Sequence, residues 1–142
     1  MYIAVKEIEL SYADTDMMGV IYHANYIKWL ELGREKLIKD VGFDYLDMEK
    51  AGYYAPVYNL NITYRKSLKL GDKVFVKTWV EKNQGLKTEY GFQIVNGDGE
   101  VCAEGSTTHI VVRKDEKGEF KPVQFKKAFP DWFQKYEEIK KK

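Results

Sequence analysis

Apolar or small residues recur at Tyr26, Trp29, Leu30, Gly33, Leu37 and Ile38. The spacing is one stripe of a 3.6-residue period and predicts a helix. It starts near Tyr22 to Asn25 and runs to about Asp40, where Val41-Gly42 supplies a stop and Lys36 and Lys39 suit the negative end of the helix dipole. The opposite side carries Lys28, Glu31, Arg34 and Glu35, which reads as a solvated charged face. Gly33 costs roughly 1 kcal/mol against Ala inside a helix, a cost worth bearing only where something packs close.

Upstream, Ile3, Val5, Ile8, Leu10 and Tyr12 predict a strand over residues 3–12, with a change of phase near Lys6 that is either a bulge or irregularity. Downstream, Asp44 caps a short helix reaching Gly52. Extended segments follow at 53–66, 73–82, 86–96 and 100–114, separated by the turn signals Asn83-Gln84-Gly85 and Asn96-Gly97-Asp98-Gly99. They read as antiparallel strands of a single meander. Residues 129–142, with Pro130-Asp131 and then Trp132, Phe133, Tyr136 and Ile139, read as a C-terminal helix. A helix of ~16 residues spans about 24 Å and a strand of ~10 residues about 33 Å, so such a sheet can curl around the helix. The expected class is α+β, an antiparallel sheet wrapped around one long central helix. Phe75 and Trp79 lie on one side of a strand whose other side is Val74, Val76 and Val80. One helix cannot cover both faces, so a homodimer or homotetramer is expected.

The chain of 142 residues makes one domain. Its formal net charge of +1 gives no broad footprint for nucleic acid. No stretch approaches a membrane span and the first residues lack a signal-peptide pattern, so a cytoplasmic location is expected. The lone Cys102 fits a reducing compartment and reads as a small hydrophobe in a strand. Two histidines far apart in the chain make no metal site, and no metal or redox cofactor is implied. A serine-hydrolase elbow and the phosphate-cradling glycine patterns are absent.

The candidate chemistry lies between the first strand and the helix. Asp14 and Asp16 precede an open helix start, whose unpaired N–H groups and positive dipole end can hold an oxygen on which negative charge develops. Gly19 lets a ligand approach the main chain. A carboxylate beside an oxyanion hole suits acyl chemistry. Acids at such positions are also common as caps, and Asp14 is read as structural, binding backbone groups of the loop.

The run Tyr-x-Asp-Thr-Asp-x-x-Gly-Val-Ile-Tyr-His-x-x-Tyr, at Tyr12, Asp14, Thr15, Asp16, Gly19, Val20, Ile21, Tyr22, His23 and Tyr26, closely resembles the signature of the 4-hydroxybenzoyl-CoA thioesterase family, which has the hotdog fold. The similarity extends to about Arg113, with Gly71-Asp72 matching a Gly-Asp that opens a middle strand in that family. The Tyr22-His23 pair resembles the branch of bacterial acyl-CoA thioesterases partnered with envelope proteins. The resemblance implies that Asp16 is the catalytic aspartate and that the helix-start amide polarising the thioester carbonyl belongs to His23. The His23 side chain is either a general acid or a bystander. Gly19, Tyr22 and Tyr26 would bound the substrate. Tyr53, Tyr54 and Tyr58 line an acyl tunnel or form ordinary strand core. Arg65 and Lys66, beside Tyr64, and the pair Arg113-Lys114 meet the phosphates of coenzyme A or are plain surface cations. Coenzyme A is part of the substrate and not a cofactor.

The expected activity is hydrolysis of an acyl-CoA, with Asp16 as nucleophile or general base and active sites at subunit interfaces. A hydroxyacyl-thioester dehydratase and a non-catalytic acyl-CoA or acyl-carrier module are the alternatives. With no polar group placed for a phenol hydroxyl, the sequence inclines toward a fatty acyl chain.

Overall fold

Residues 1–142 are described by a computed structural model. β1 (Ala4–Ile8) is followed by a 3₁₀ turn (Tyr12–Asp14), α1 (Asn25–Asp40), α2 (Tyr45–Lys50), β2 (Tyr53–Tyr54) and β3 (Val57–Tyr64). Then come β4 (Val74–Asn83), β5 (Lys87–Asn96), β6 (Val101–Ile110), β7 (Val112–Lys114), β8 (Phe120–Pro122), α3 (Phe125–Ala128) and α4 (Pro130–Ile139). Five strands form an antiparallel sheet in the order β1-β4-β5-β6-β3, and β2, β7 and β8 form a small second sheet.

Strand alternation sorts the sheet into two faces. On β4, Val74, Val76, Thr78 and Val80 are buried, while Phe75, Lys77, Trp79 and Glu81 turn outward and are half-buried. β5 contributes Thr88, Tyr90, Phe92 and Ile94 to the same inner face. The predicted stripe of α1 covers that face, and Leu37 is wholly inaccessible. Burying such side chains contributes about 1.5–3 kcal/mol each, so this contact is a large contribution to stability. α4 covers the region beyond Arg34 with Trp132, Phe133 and Tyr136, and Phe43 stacks on Trp132 with ring centroids 5.0 Å apart.

Gly33 explains itself here. A side chain at this position would meet Thr78 Oγ1 inside contact distance and Val76 Cγ1 at 2.8 Å. Both neighbours are β-branched, short and buried, so neither can swing away. The missing Cβ lets the helix lie directly on β4.

Several elements differ from expectation. The first strand stops at Ile8, and Leu10 and Tyr12 leave it for the 3₁₀ turn, which Ser11 and Asp14 close with a reciprocal capping box. Its pairing with β4 runs without a bulge from Ala4 to Ile8. Ala4 and Ile8 therefore face the core, and Ile3 and Val5 are exposed. The segment 53–66 divides at Ala55-Pro56, where proline removes a ladder donor, and 100–114 divides at Val111. Only β4, β5 and β6 form a meander; β3 crosses to the far side of β6. The terminal helix is the shorter Pro130–Ile139, preceded by β8 and α3, which short polar stretches did not signal. Asp44 caps α2 as expected, its side chain accepting from Leu46 N at 2.9 Å.

Arg34, expected on a solvated face, is buried. Its guanidinium bonds Glu31 at 2.9 Å and lies over the rings of Tyr45 and Tyr90 at 5.3 and 5.9 Å. Beside it, Tyr90 and Tyr136 share a hydroxyl contact of 2.8 Å. His109 is buried and has Nδ1 at 2.8 Å from the Ala55 carbonyl and Nε2 at 3.1 Å from Thr107 Oγ1. Burial, with the Arg34 cation acting in the same direction, pushes its pKa down to about 4. Cys102 is fully buried on β6, and burial pushes its thiol up.

Two outcomes follow. Gly33→Ala gains up to about 1 kcal/mol of helix propensity but overpacks the contact with β4 by about 1–3 kcal/mol. The variant should melt several degrees lower, and adding Thr78→Ala should recover part of the loss; an unchanged or raised Tm would contradict the packing argument. For His109 the folded core holds the neutral ring, so its contribution is complete above the ordinary histidine range near 6.5 and is lost as pH falls toward about 4. The Tm of the protein should fall through that window, and His109→Gln, though less stable at neutral pH, should lose less over the same window. Parallel Tm curves would assign the acid sensitivity to other groups.

Candidate active site

The loop between the 3₁₀ turn and α1 is a narrow hairpin. Thr15 bridges Ile21, Asp16 N donates to Val20 O at 2.9 Å, and Tyr22 N donates to Asp14 O at 2.8 Å. The Asn25 side chain donates to the same Asp14 carbonyl at 2.9 Å, and Ile21 N donates to Leu68 O at 2.7 Å, tying the loop to the segment after β3. Asp14 is structural: its carboxylate accepts from Ser11 N at 2.9 Å.

Asp16 stands at the turn of this hairpin. Its Oδ1 accepts from Met18 N at 2.8 Å and, more weakly, from Val20 N at 3.4 Å. Gly19 N donates back to Asp16 O at 3.1 Å, and Gly19 holds φ +78, a conformation other residues adopt only with strain. One carboxylate oxygen is thus anchored, and Oδ2 makes no bond within the chain.

The second arm of the hairpin leads directly into the start of α1. Ala24 stands at the cap position and has no side chain to offer, and the first turn closes with loose bonds, Asn25 N to Tyr22 O at 3.0 Å and Tyr26 N to His23 O at 3.3 Å. The amides of His23 and Ala24 donate to nothing within the chain. They are the unpaired donors that a helix start leaves over. A carboxylate with one free oxygen at the hairpin turn, and two free amides at the positive dipole end into which the hairpin runs, are the parts from which acyl chemistry is built: one to meet a carbonyl carbon, the others to hold its oxyanion.

Aromatic rings surround this start. The rings of Tyr22 and His23 are 4.6 Å apart, His23 and Tyr64 5.8 Å, and Tyr26 and Tyr64 5.1 Å. Tyr22 is exposed and free to meet a ligand, whereas Tyr26 is only 3% exposed and stacks on Trp29 as part of the core. Burial pushes the Tyr26 phenol up to about 12 and raises that of Tyr64 as well. Tyr64 donates its hydroxyl to the His23 carbonyl at 2.9 Å. Sequence reasoning missed the roles of Tyr64 and Asn25. Asn25 falls at a position that the motif as read leaves unspecified, and Tyr64 reaches the loop only through the path of β3.

The remaining candidates divide by position. Arg65 and Lys66 follow Tyr64 at the site end of β3, bonded to Glu104 at 3.0 Å and Glu100 at 2.7 Å, so a phosphate must compete with those carboxylates. Tyr58 is six residues back along β3, roughly 20 Å from Tyr64, where Lys87 Nζ lies 4.4 Å from its ring centroid. It is not brought to Asp16 by its own chain. Tyr53 stands under Arg113 and against Phe129, and Tyr54 against Phe120, both on the small sheet. No three His, Cys, Asp or Glu side chains converge. In the single chain the loop is open surface, with Tyr12, Met17 and Met18 more than four-fifths exposed.

Comparison with known proteins identifies the family and the fold. The profile of the thioesterase-like superfamily matches residues 10–135. The putative acyl-CoA thioesterase YneP of Bacillus subtilis (strain 168) is 51% identical over 141 residues, covering 99% of this chain and all of that protein. A DHNA-CoA thioesterase structure from Staphylococcus aureus superposes with a TM-score of 0.91 at 46% identity, covering 97% of this chain and 91% of that one. A 4-hydroxybenzoyl CoA thioesterase bound to 4-hydroxybenzoyl CoA shares only 11% identity but superposes with a TM-score of 0.82 over 94% of this chain and 97% of that one, a likeness of fold alone. The fold is the hotdog fold, an antiparallel sheet around a central helix.

Proposed function

This chain belongs to the thioesterase-like superfamily, and on that premise we propose that it is a thioester hydrolase that cleaves acyl-CoA to free acid and coenzyme A, with Asp16 supplying the reactive carboxylate. What supports the proposal is that one short loop carries both Asp16, anchored through Oδ1 with Oδ2 free, and the unpartnered amides at the uncapped start of α1. In this reading the thioester carbonyl oxygen sits on the His23 N–H and its carbon faces Asp16. Either Oδ2 attacks that carbon, giving an anhydride that water then opens, or it takes a proton from a water that attacks. Both routes pass through an oxyanion held by the same donors, and the thiolate leaves to become the coenzyme A thiol.

For the acyl group, the rings of Tyr22, His23 and Tyr64 around the helix start offer flat faces that favour an aromatic acid. The 46% identity to a DHNA-CoA thioesterase supports the same choice. The fatty acyl chain suggested by the sequence is the alternative, favoured by the exposed apolar pair Met17 and Met18. Arg65 and Lys66, at the site end of β3, are proposed to exchange their carboxylate partners for coenzyme A phosphates. Coenzyme A is then part of the substrate, and the cytoplasm as location belongs to the same proposal.

The working unit is proposed to be a homodimer, with the homotetramer as a larger option. β3 is a sheet edge eight residues long with Val57, Tyr58 and Tyr64 exposed, and the site loop bares Met17 and Met18. Open edges of that length invite pairing. A second chain could also bring its own residues, Tyr58 among them, toward Asp16.

Thiol release across a panel of acyl-CoAs tests the chemistry and the substrate together. Asp16→Asn should lose at least a hundredfold in kcat while keeping its fold, and turnover should favour aromatic over saturated acyl groups. Full activity in Asp16→Asn would remove the catalytic assignment. An enoyl product without thiol would indicate a dehydratase, and tight binding without turnover a carrier module. A KM that falls steadily with chain length would replace the aromatic substrate by a fatty one. Light scattering on the active protein should give at least twice the 16.6 kDa of one chain; full activity at monomer mass would exclude a shared site.

A further inference from the structure

Tyr64 lies on β3, far from the catalytic loop in sequence, yet its hydroxyl donates to the His23 carbonyl at 2.9 Å. That carbonyl has only one other partner, Tyr26 N at a long 3.3 Å. The turn from Tyr22 to Ala24 has no side-chain cap to hold it. Because the peptide unit is planar and trans, the oxygen of His23 and the N–H of Ala24 point in opposite directions across one rigid plate. A bond that fixes the oxygen therefore aims the N–H, and accepting a hydrogen bond at the oxygen also polarises the N–H into a stronger donor. The Ala24 N–H is one of the two amides with no partner in the chain.

We propose that Tyr64 is a positioning residue of the oxyanion hole, holding the His23–Ala24 peptide so that the Ala24 N–H serves as a second donor beside that of His23. The inference rests on the thioesterase reading of the loop. It makes the end of β3 part of the catalytic apparatus, although no atom of Tyr64 need touch the reacting thioester. It also separates two roles of the tyrosine. Its ring packs edge-on against Tyr26 and His23, a contact that phenylalanine reproduces, whereas only the hydroxyl reaches the carbonyl.

Tyr64→Phe isolates the hydroxyl. The expected result is a fall of about tenfold in kcat, the worth of one ordinary hydrogen bond, with KM within twofold and Tm within about two degrees. The loss should be the same for every acyl-CoA that the unaltered protein hydrolyses, because all form the same oxyanion. In parallel, the Ala24 amide proton resonance should move upfield while that of Met18, bonded to Asp16, stays in place. Unchanged kcat in an active protein would overturn the proposal. So would a loss that tracks Tm or appears in KM alone, and so would an unmoved Ala24 resonance. If the unaltered protein releases no thiol from any acyl-CoA, the thioesterase reading fails, and the amide resonance still decides whether Tyr64 sets this peptide.

Discussion

The contact between Gly33 of α1 and Thr78 of β4 sets the distance from which the rest of the molecule is measured. A helix resting on a sheet through a missing side chain sits closer than one held off by leucines, and its axis is fixed by two stiff β-branched neighbours. From there, Trp29 and Leu30 toward one end and Leu37 and Ile38 toward the other find the inner face of the sheet. The start of the helix consequently lies beside the end of β3, where Tyr64 meets His23. Packing at the middle of the helix thus determines where its free amides point, although no residue of that packing belongs to the site.

Much of this was legible because it depends on period and on local chemistry. The stripe from Tyr26 to Ile38, the cap at Asp44 and the turns after Asn83 and Asn96 need only neighbours in sequence to specify them. The loop around Asp16 was legible for a similar reason, since its shape is written in Asp14, Asp16 and Gly19, each bonded within a few residues of itself.

What escaped was decided by partners distant in sequence. Arg34 falls on the charged side of the helical wheel, and only α2 and β5, which bring Tyr45 and Tyr90 over it, make it an interior residue. The position of β3 beyond β6 follows from a crossover that alternation cannot report. Tyr64 reads as one more strand aromatic until that crossover delivers it to His23. Tyr26 is the reverse case: its place in the motif suggests a substrate contact, while its place in the stripe buries it in the core.

The loop that carries Asp16 grows out of β1, one border of the sheet, and is fastened through His23 to Tyr64 of β3, the other border, and through Ile21 to Leu68 in the segment that follows it. Border strands are where folded proteins fray first, opening at a fraction of the global unfolding free energy. The candidate site is therefore strung between the two border strands of the main sheet, and its geometry depends on both. For the proposed enzyme, activity becomes a sensitive gauge of the integrity of these margins, and anything that clamps them, a second copy paired along β3 included, would steady the loop without touching it.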